Sequence, residues 1–283
     1  SINYKAGVSA QLKSAVMLAG MNAYGTTKIV ENQKSRDHTE RMILSNSNVI
    51  NIKNGKKKLI KIFGRNFLNP INVEVPGDPS SAAFFTALVL LSPNSSLRIK
   101  NIGLNPTRIG FYEILKKHGA KVKFVNLKVR NNEKRGDICV DSSKIRPIKA
   151  SKGYYVNSTD EYPILFTIAA LTKGVSIFKG IRDLANKESN RIKEMQKILL
   201  QIGIKSIFSK NILKIFENEK INFKNKKIKV NNLGDHRICM SSFILGTVTG
   251  IKTEIKNFET VNTSSPSFLK IMKSLGAKFE IKK

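Results

Sequence analysis

The chain has 283 residues, 41% of them hydrophobic, with a mean hydropathy of −0.21, so it carries enough apolar material for a sizeable core and is not a disordered polymer. Its charge is lopsided, 50 Lys+Arg against 20 Asp+Glu, but the lysines are spread over nearly every segment and tryptophan is absent. A base-stacking platform is therefore poorly supplied, and a solvated lysine-rich surface is the expected reading. Apolar runs fall far short of the roughly 20 residues of a membrane helix, and no signal peptide is expected. Two cysteines, Cys139 and Cys239, have no metal spacing and fit a reducing, cytoplasmic compartment.

In chain order the pattern repeats. A helix over 9–20, a strand over 26–31 and a helix over 39–44 open the chain. Asp78 then precedes a helix over 80–91, a turn and an alternating strand over 97–101. Asp160 precedes a helix over 162–171, with a strand over 175–179. Asp235 precedes a helix over 238–245. Later in each unit an amphipathic helix ends at a glycine, Gly119, Gly203 or Gly276, where a left-handed residue is expected, and a lysine-bearing strand follows. In the last unit Phe268, Ile271, Met272 and Leu275 share one helical face, and 277–281 is its expected strand. Strand, helix, strand, helix, strands thus recur about every 75–80 residues, an α/β repeat architecture of four units.

Polar clusters interrupt this patterning at unit openings and before the second helices. They are Ser9-Ala10-Gln11, Arg36-Asp37-His38-Thr39-Glu40, Pro76-Gly77-Asp78-Pro79-Ser80-Ser81, Asn105-Pro106-Thr107-Arg108, Asp160-Glu161-Tyr162-Pro163, Lys187-Glu188-Ser189-Asn190-Arg191 and Asp235-His236-Arg237. Helix openings with hydroxyl or amide side chains suit anions, and Arg36, Lys187, Arg191 and Arg237 add charge. Lys187 and Arg191, four apart, would share a helical face. Asp160 and Glu188 are the carboxylates placed for acid–base work. The plainer alternatives are that Ser9, Asp78, Ser80 and Asp160 cap helices and that Glu188–Arg191 is a surface pair. His38 and His236 lack zinc spacing, and Gly77 and Gly103 form no Walker loop.

These seven clusters, in this order, resemble the signatures of the 5-enolpyruvylshikimate-3-phosphate synthase family over nearly the whole chain. The resemblance implies an inside-out α/β prism with four of the family's six units. Residues 1–72 would be the last unit of an N-terminal domain and 73–283 a C-terminal domain of three. It implies transfer of the enolpyruvyl group of phosphoenolpyruvate to the 5-hydroxyl of shikimate 3-phosphate, without metal or other cofactor. Asp160 would take the hydroxyl proton, and Glu188, with Lys187 near it, would move the proton at C3. Ser9, Ala10, Gln11 and Arg36 would hold shikimate 3-phosphate, with Gln11 touching both substrates and Asp160 orienting the shikimate ring; Arg191 and Arg237 would clamp phosphoenolpyruvate, and Lys187 would also bind substrate.

The implied partners are these two small molecules, with no nucleic acid and no membrane, and a monomer at full length. With two units absent, the 283 residues alone are expected to be inactive and the first unit loosely ordered. Two departures from the family pattern stand out: Asn190 in place of Asp, and Ser265 in place of Phe before Pro266. The alternatives are the related UDP-N-acetylglucosamine enolpyruvyl transferase, which lacks the Arg-Asp-His-Thr-Glu and Lys-Glu-Ser-x-Arg patterns, and a basic nucleic-acid-binding repeat protein.

Overall fold

The computed structural model describes residues 1–44, 48–217, 223–231 and 233–282. The first unit runs β1 (Ile2–Ala6), α1 (Ala10–Asn22), β2 (Thr26–Glu31), α2 (His38–Ile43), β3 (Ile50–Lys53) and β4 (Lys58–Phe63). Its sheet has the order β1-β2-β4-β3, with β1 and β2 parallel and the other pairs antiparallel. The second unit has α3 (Pro79–Leu91), β5 (Ser96–Gly103), α4 (Gly110–Lys117), β6 (Lys121–Arg130) and β7 (Glu133–Asp141), ordered β5-β7-β6. Its opening strand is reduced to one parallel bridge, Gly77 with Ile102.

The third unit comprises β8 (Lys149–Ala150), α5 (Tyr155–Ser158), α6 (Tyr162–Ala170), β9 (Val175–Lys179), α7 (Arg191–Gln201), β10 (Ser206–Ser209) and β11 (Ile212–Phe216). Its order, β8-β9-β11-β10, repeats that of the first unit, again with the opening pair parallel. In the fourth, β12 (Lys227–Val230) pairs in parallel with β13 (Lys252–Ile255); α8 (His236–Thr249) lies between them and α9 (Phe268–Ser274) follows. The parallel pair that begins each sheet needs a crossover, and the helix supplies it.

The expected strand over 277–281 is absent among the described residues. The half-buried Phe279 ring lies 5.6 Å from that of Phe243, and 277–281 pairs with no strand among the described residues. The glycine stops hold: Gly119, Gly203 and Gly276 have φ of 102°, 88° and 91°, where a side chain would be strained.

Helices α3, α6 and α8 pack on one another, with the sheets outside them. Helices α3 and α6 are apolar nearly all round, as a helix enclosed on every side must be, whereas α8 mixes its buried apolar residues with Arg237, Ser241 and Ser242. Phe268 of α9 closes the cluster against the rings of Phe84, Phe85, Phe243 and Phe258. A second, smaller core around Met17, Ile29 and Ile60 belongs to the first unit. There α1 buries only Lys13, Met17 and Gly20 and turns Leu12 and Leu18 to solvent. Polar contacts join this unit to the rest: Asn105 Nδ2 donates to Asp37 Oδ1 at 2.7 Å, Arg41 to the Asn132 carbonyl at 2.7 Å, and His38 Nδ1 meets Glu133 at 2.6 Å.

The dispersed lysines fit into this scaffold in two ways. Lys227 and Lys229 alternate with buried Ile228 and Val230 along β12, and Lys58 points inward to Glu40 at 3.0 Å. Among the described residues no helix is long and apolar enough to cross a membrane.

Candidate active site

A cavity of about 690 Å³ opens between the first unit and the ends of α6, α7 and α8. Ser9, Ala10, Gln11 and Arg36 line it from one side; Asp160, Lys187, Glu188 and Arg237 line it from the other. Of the sequence-predicted residues only Arg191 lies behind the wall, 1% exposed, with Nη1 3.7 Å from Asp160 Oδ1. Residues up to 256 positions apart in the chain meet here because the first, third and fourth units turn helix openings to the same space, whereas the second contributes no lining residue.

Each local turn has a reason. Ser9 caps α1, its hydroxyl accepting from Leu12 N at 3.3 Å. Asn190 caps α7 by accepting from Lys193 N at 3.0 Å, so Asn does there what Asp would do. Asp235 caps α8 through Arg237 N at 3.0 Å, which sets Arg237 in the first turn facing the cavity. Asp160 caps nothing: it sits in a 3₁₀ turn, and α6 begins without a side-chain cap.

Asp78 does cap α3, accepting from Ser81 N at 2.8 Å, while Arg108 reaches both Asp78 Oδ1 (2.6 Å) and Ser80 Oγ (2.8 Å). Burial pushes the Asp78 carboxyl up, but Arg108 and the Ser81 N–H outweigh it and hold it low. Asp78→Ala is expected to cost about 1–2 kcal/mol in urea unfolding near neutral pH. Because the folded carboxyl titrates below the unfolded one, that contribution is present above the unfolded value and fades as pH falls through the folded value.

Around Asp160 the charges are dense. Arg36 Nη2 lies 2.5 Å from Oδ2, and Arg237 Nη2 3.9 Å from the same oxygen. Burial alone would raise this carboxyl; Arg36, Arg237 and Arg191 together hold it well below the usual carboxylate range. Its neighbour Glu161, fully buried, moves the other way, pushed up by burial and by the Asp160 charge. Adjacent carboxyls are thus driven apart, the one at the cavity toward its ionised form and the one inside toward its protonated form.

Arg191 is anchored by Asp235 through Nε at 3.0 Å and by Glu188 at 2.5 Å. Its Nη1, and the Nε and Nη1 of Arg237, are buried without a hydrogen-bond partner. Two guanidinium edges left open beside each other are a demand for an anion. Glu188 itself is about half exposed at the cavity while it pairs with Arg191.

Lys187 departs from the sequence reading. It precedes α7, which begins at Arg191, so the two share no helical face. Its ammonium pairs with Asp183 at 3.0 Å, and Asp183 also accepts from the Tyr155 hydroxyl at 2.6 Å. That hydrogen bond, and then Lys187, hold the Asp183 carboxyl low although burial opposes them. Sequence reasoning missed Asp183 and Tyr155, and also Thr263 and Ser264, which line the cavity beside His236. The i, i+4 spacing of Asp183 and Lys187 was the one available signal. His236 is held below its ordinary pKa, first by burial and then by Arg237.

Comparisons with known proteins identify the family. The family model described as EPSP synthase (3-phosphoshikimate 1-carboxyvinyltransferase) matches residues 1–272. The 3-phosphoshikimate 1-carboxyvinyltransferase of Zymomonas mobilis is 38% identical over 99% of this chain and 63% of its own length. That of Aquifex aeolicus is 39% identical over 92% of this chain and 60% of its own. The EPSP synthase structure from Acinetobacter baumannii superposes over the whole chain with a TM-score of 0.85 at 32% identity, covering 64% of that structure. The enolpyruvyl transferase NikO from Streptomyces tendae shares the fold at 15% identity, TM-score 0.66. The chain therefore spans somewhat under two thirds of these relatives, and it belongs to the EPSP synthase family.

Proposed function

We propose that this chain carries most of the active site of a 3-phosphoshikimate 1-carboxyvinyltransferase. The observation that carries the reading is the pair of unfilled guanidinium edges of Arg191 and Arg237 next to an ionised Asp160, in a cavity whose far wall offers Ser9, Gln11 and Arg36. Both substrates bear a phosphate and a carboxylate, so a cavity walled by cations suits both. The family match argues against the UDP-N-acetylglucosamine enzyme, and the dispersed lysines argue against a nucleic-acid module. On this reading residues 1–72 and 73–283 are separate domains, each with its own core, that act as one monomer in the cytoplasm.

The 5-hydroxyl of shikimate 3-phosphate adds to C2 of phosphoenolpyruvate while Asp160 takes its proton. Glu188 delivers a proton to C3, giving a tetrahedral intermediate. Return of a proton from C3 to Glu188, with departure of phosphate from C2 and transfer of the Asp160 proton to it, leaves the enolpyruvyl ether and restores both carboxyls. Asp160 as found here is a weak base, because Arg36 and Arg237 stabilise its charge. A phosphorylated ligand that draws Arg36 away leaves Asp160 with one cation fewer and makes it more basic when the hydroxyl arrives. Lys187 gains a ligand phosphate or hydroxyl by releasing Asp183.

Titration calorimetry on the natural polypeptide at full length tests the assignment. Arg237→Ala is expected to weaken phosphoenolpyruvate by about 1.5–3 kcal/mol, roughly ten- to a hundredfold, and shikimate 3-phosphate only slightly. Equal losses for both ligands contradict the proposed division of the site.

A further inference from the structure

The cluster beneath the first wall of the cavity is unlike anything the dispersed lysines suggest. Lys13 is fully buried in α1, one turn inside the Ser9 cap. Its Nζ bridges Glu31 Oε1 at 2.8 Å and Glu40 Oε1 at 2.7 Å, and Lys58 of β4 reaches the same Glu40 oxygen at 3.0 Å. Two lysines and two glutamates form a closed, neutral quartet. Glu31 does more: its Oε1 also accepts from the backbone N–H of Ser35 at 2.9 Å and from the Ser35 hydroxyl at 2.6 Å. Ser35 is buried and immediately precedes Arg36. Burial works against the ionised Glu31, but the hydrogen bonds from Lys13 and Ser35 prevail and hold its carboxyl below the ordinary value.

One carboxylate oxygen thus ties together the helix that presents Ser9, Ala10 and Gln11 and the loop that presents Arg36. Buried charge networks with every strong donor engaged have few alternative arrangements, so they fix geometry more than they add stability. We propose that Lys13 and Glu31 are positioning residues that, through Ser35, hold Arg36 at the depth and angle needed to meet the phosphorylated ligand while keeping the α1 opening in register with it. This rests on the functional reading above, and neither residue touches the cavity.

The test is a double-mutant cycle on the natural polypeptide at full length, read as shikimate 3-phosphate and phosphoenolpyruvate affinity by calorimetry, with thermal unfolding alongside. Lys13→Met is expected to weaken shikimate 3-phosphate about tenfold and Ser35→Ala about threefold, with phosphoenolpyruvate affinity kept within about twofold. In an Arg36→Ala background both added losses should shrink to within about twofold. Ser35→Ala removes a single hydroxyl outside the quartet, so it decides the matter alone should Lys13→Met fail to fold. Lower thermal stability with unchanged shikimate 3-phosphate affinity, or losses that add in full to that of Arg36→Ala, overturns the proposal. Full affinity in Arg36→Ala alone overturns the functional reading and the proposal together. A large Arg36→Ala effect beside silent Lys13→Met and Ser35→Ala variants overturns the proposal only.

Discussion

Replacing Asp160 by asparagine is expected to lower turnover by about 10²–10⁴-fold while shikimate 3-phosphate still binds. The amide keeps the size and one acceptor for Arg36, but it cannot take the hydroxyl proton. Because Asp160 caps no helix, the loss cannot be charged to a frayed α6. The carboxylate is also the shared counter-ion of Arg36, Arg191 and Arg237, so its removal leaves three cations facing one another. Anionic ligands relieve that repulsion, and shikimate 3-phosphate affinity should hold or improve while kcat collapses. Steady-state kinetics with calorimetry on the same variant separate the two effects. Near-normal kcat with weakened binding would instead reduce Asp160 to an electrostatic spacer.

Arg191→Ala is expected to be the most destabilising change at the site, about 3–5 kcal/mol, because it strands the fully buried Asp235. Asp235 would keep its bonds from Ser189 and from Arg237 N but lose its cation. In the intact protein burial pushes the Asp235 carboxyl up, and Arg191 more than compensates, so it titrates below its unfolded value. That stabilisation is present at neutral pH and fades as pH falls through the folded value. The gap between wild type and Arg191→Ala should therefore be widest near neutral pH and close as pH falls through the lowered folded value of Asp235. Denaturant unfolding at several pH values reads this directly. Arg191→Met with Asp235→Asn removes both charges and should recover most of the stability without recovering phosphoenolpyruvate affinity. Recovery of both would show that Arg191 serves only Asp235.

The unit architecture was legible because it rests on local signals. Periodicity marked the helices, and glycines at Gly119, Gly203 and Gly276 marked their ends. The cavity-lining clusters were legible because each sits at a helix opening, where polar residues have no place in a core pattern. What escaped is non-local. Spacing alone cannot pair Arg36 with Asp160, which lie 124 residues apart, nor His38 with Glu133. Lys13 reads as one more surface lysine, since its burial is earned only by Glu31 and Glu40 arriving from β2 and α2. The strand expected over 277–281 failed for the converse reason. Its alternation was adequate, but Phe279 finds the Phe243 ring rather than a neighbouring strand.

The most direct measurement is carbon NMR of the natural polypeptide at full length, mixed with shikimate 3-phosphate and phosphoenolpyruvate labelled with ¹³C at C2. The labelled carbon should move to the vinyl ether of an enolpyruvyl product, in step with release of one phosphate and only when both substrates are present. Label appearing as pyruvate, or remaining in phosphoenolpyruvate while both ligands bind, would contradict enolpyruvyl transfer by this site.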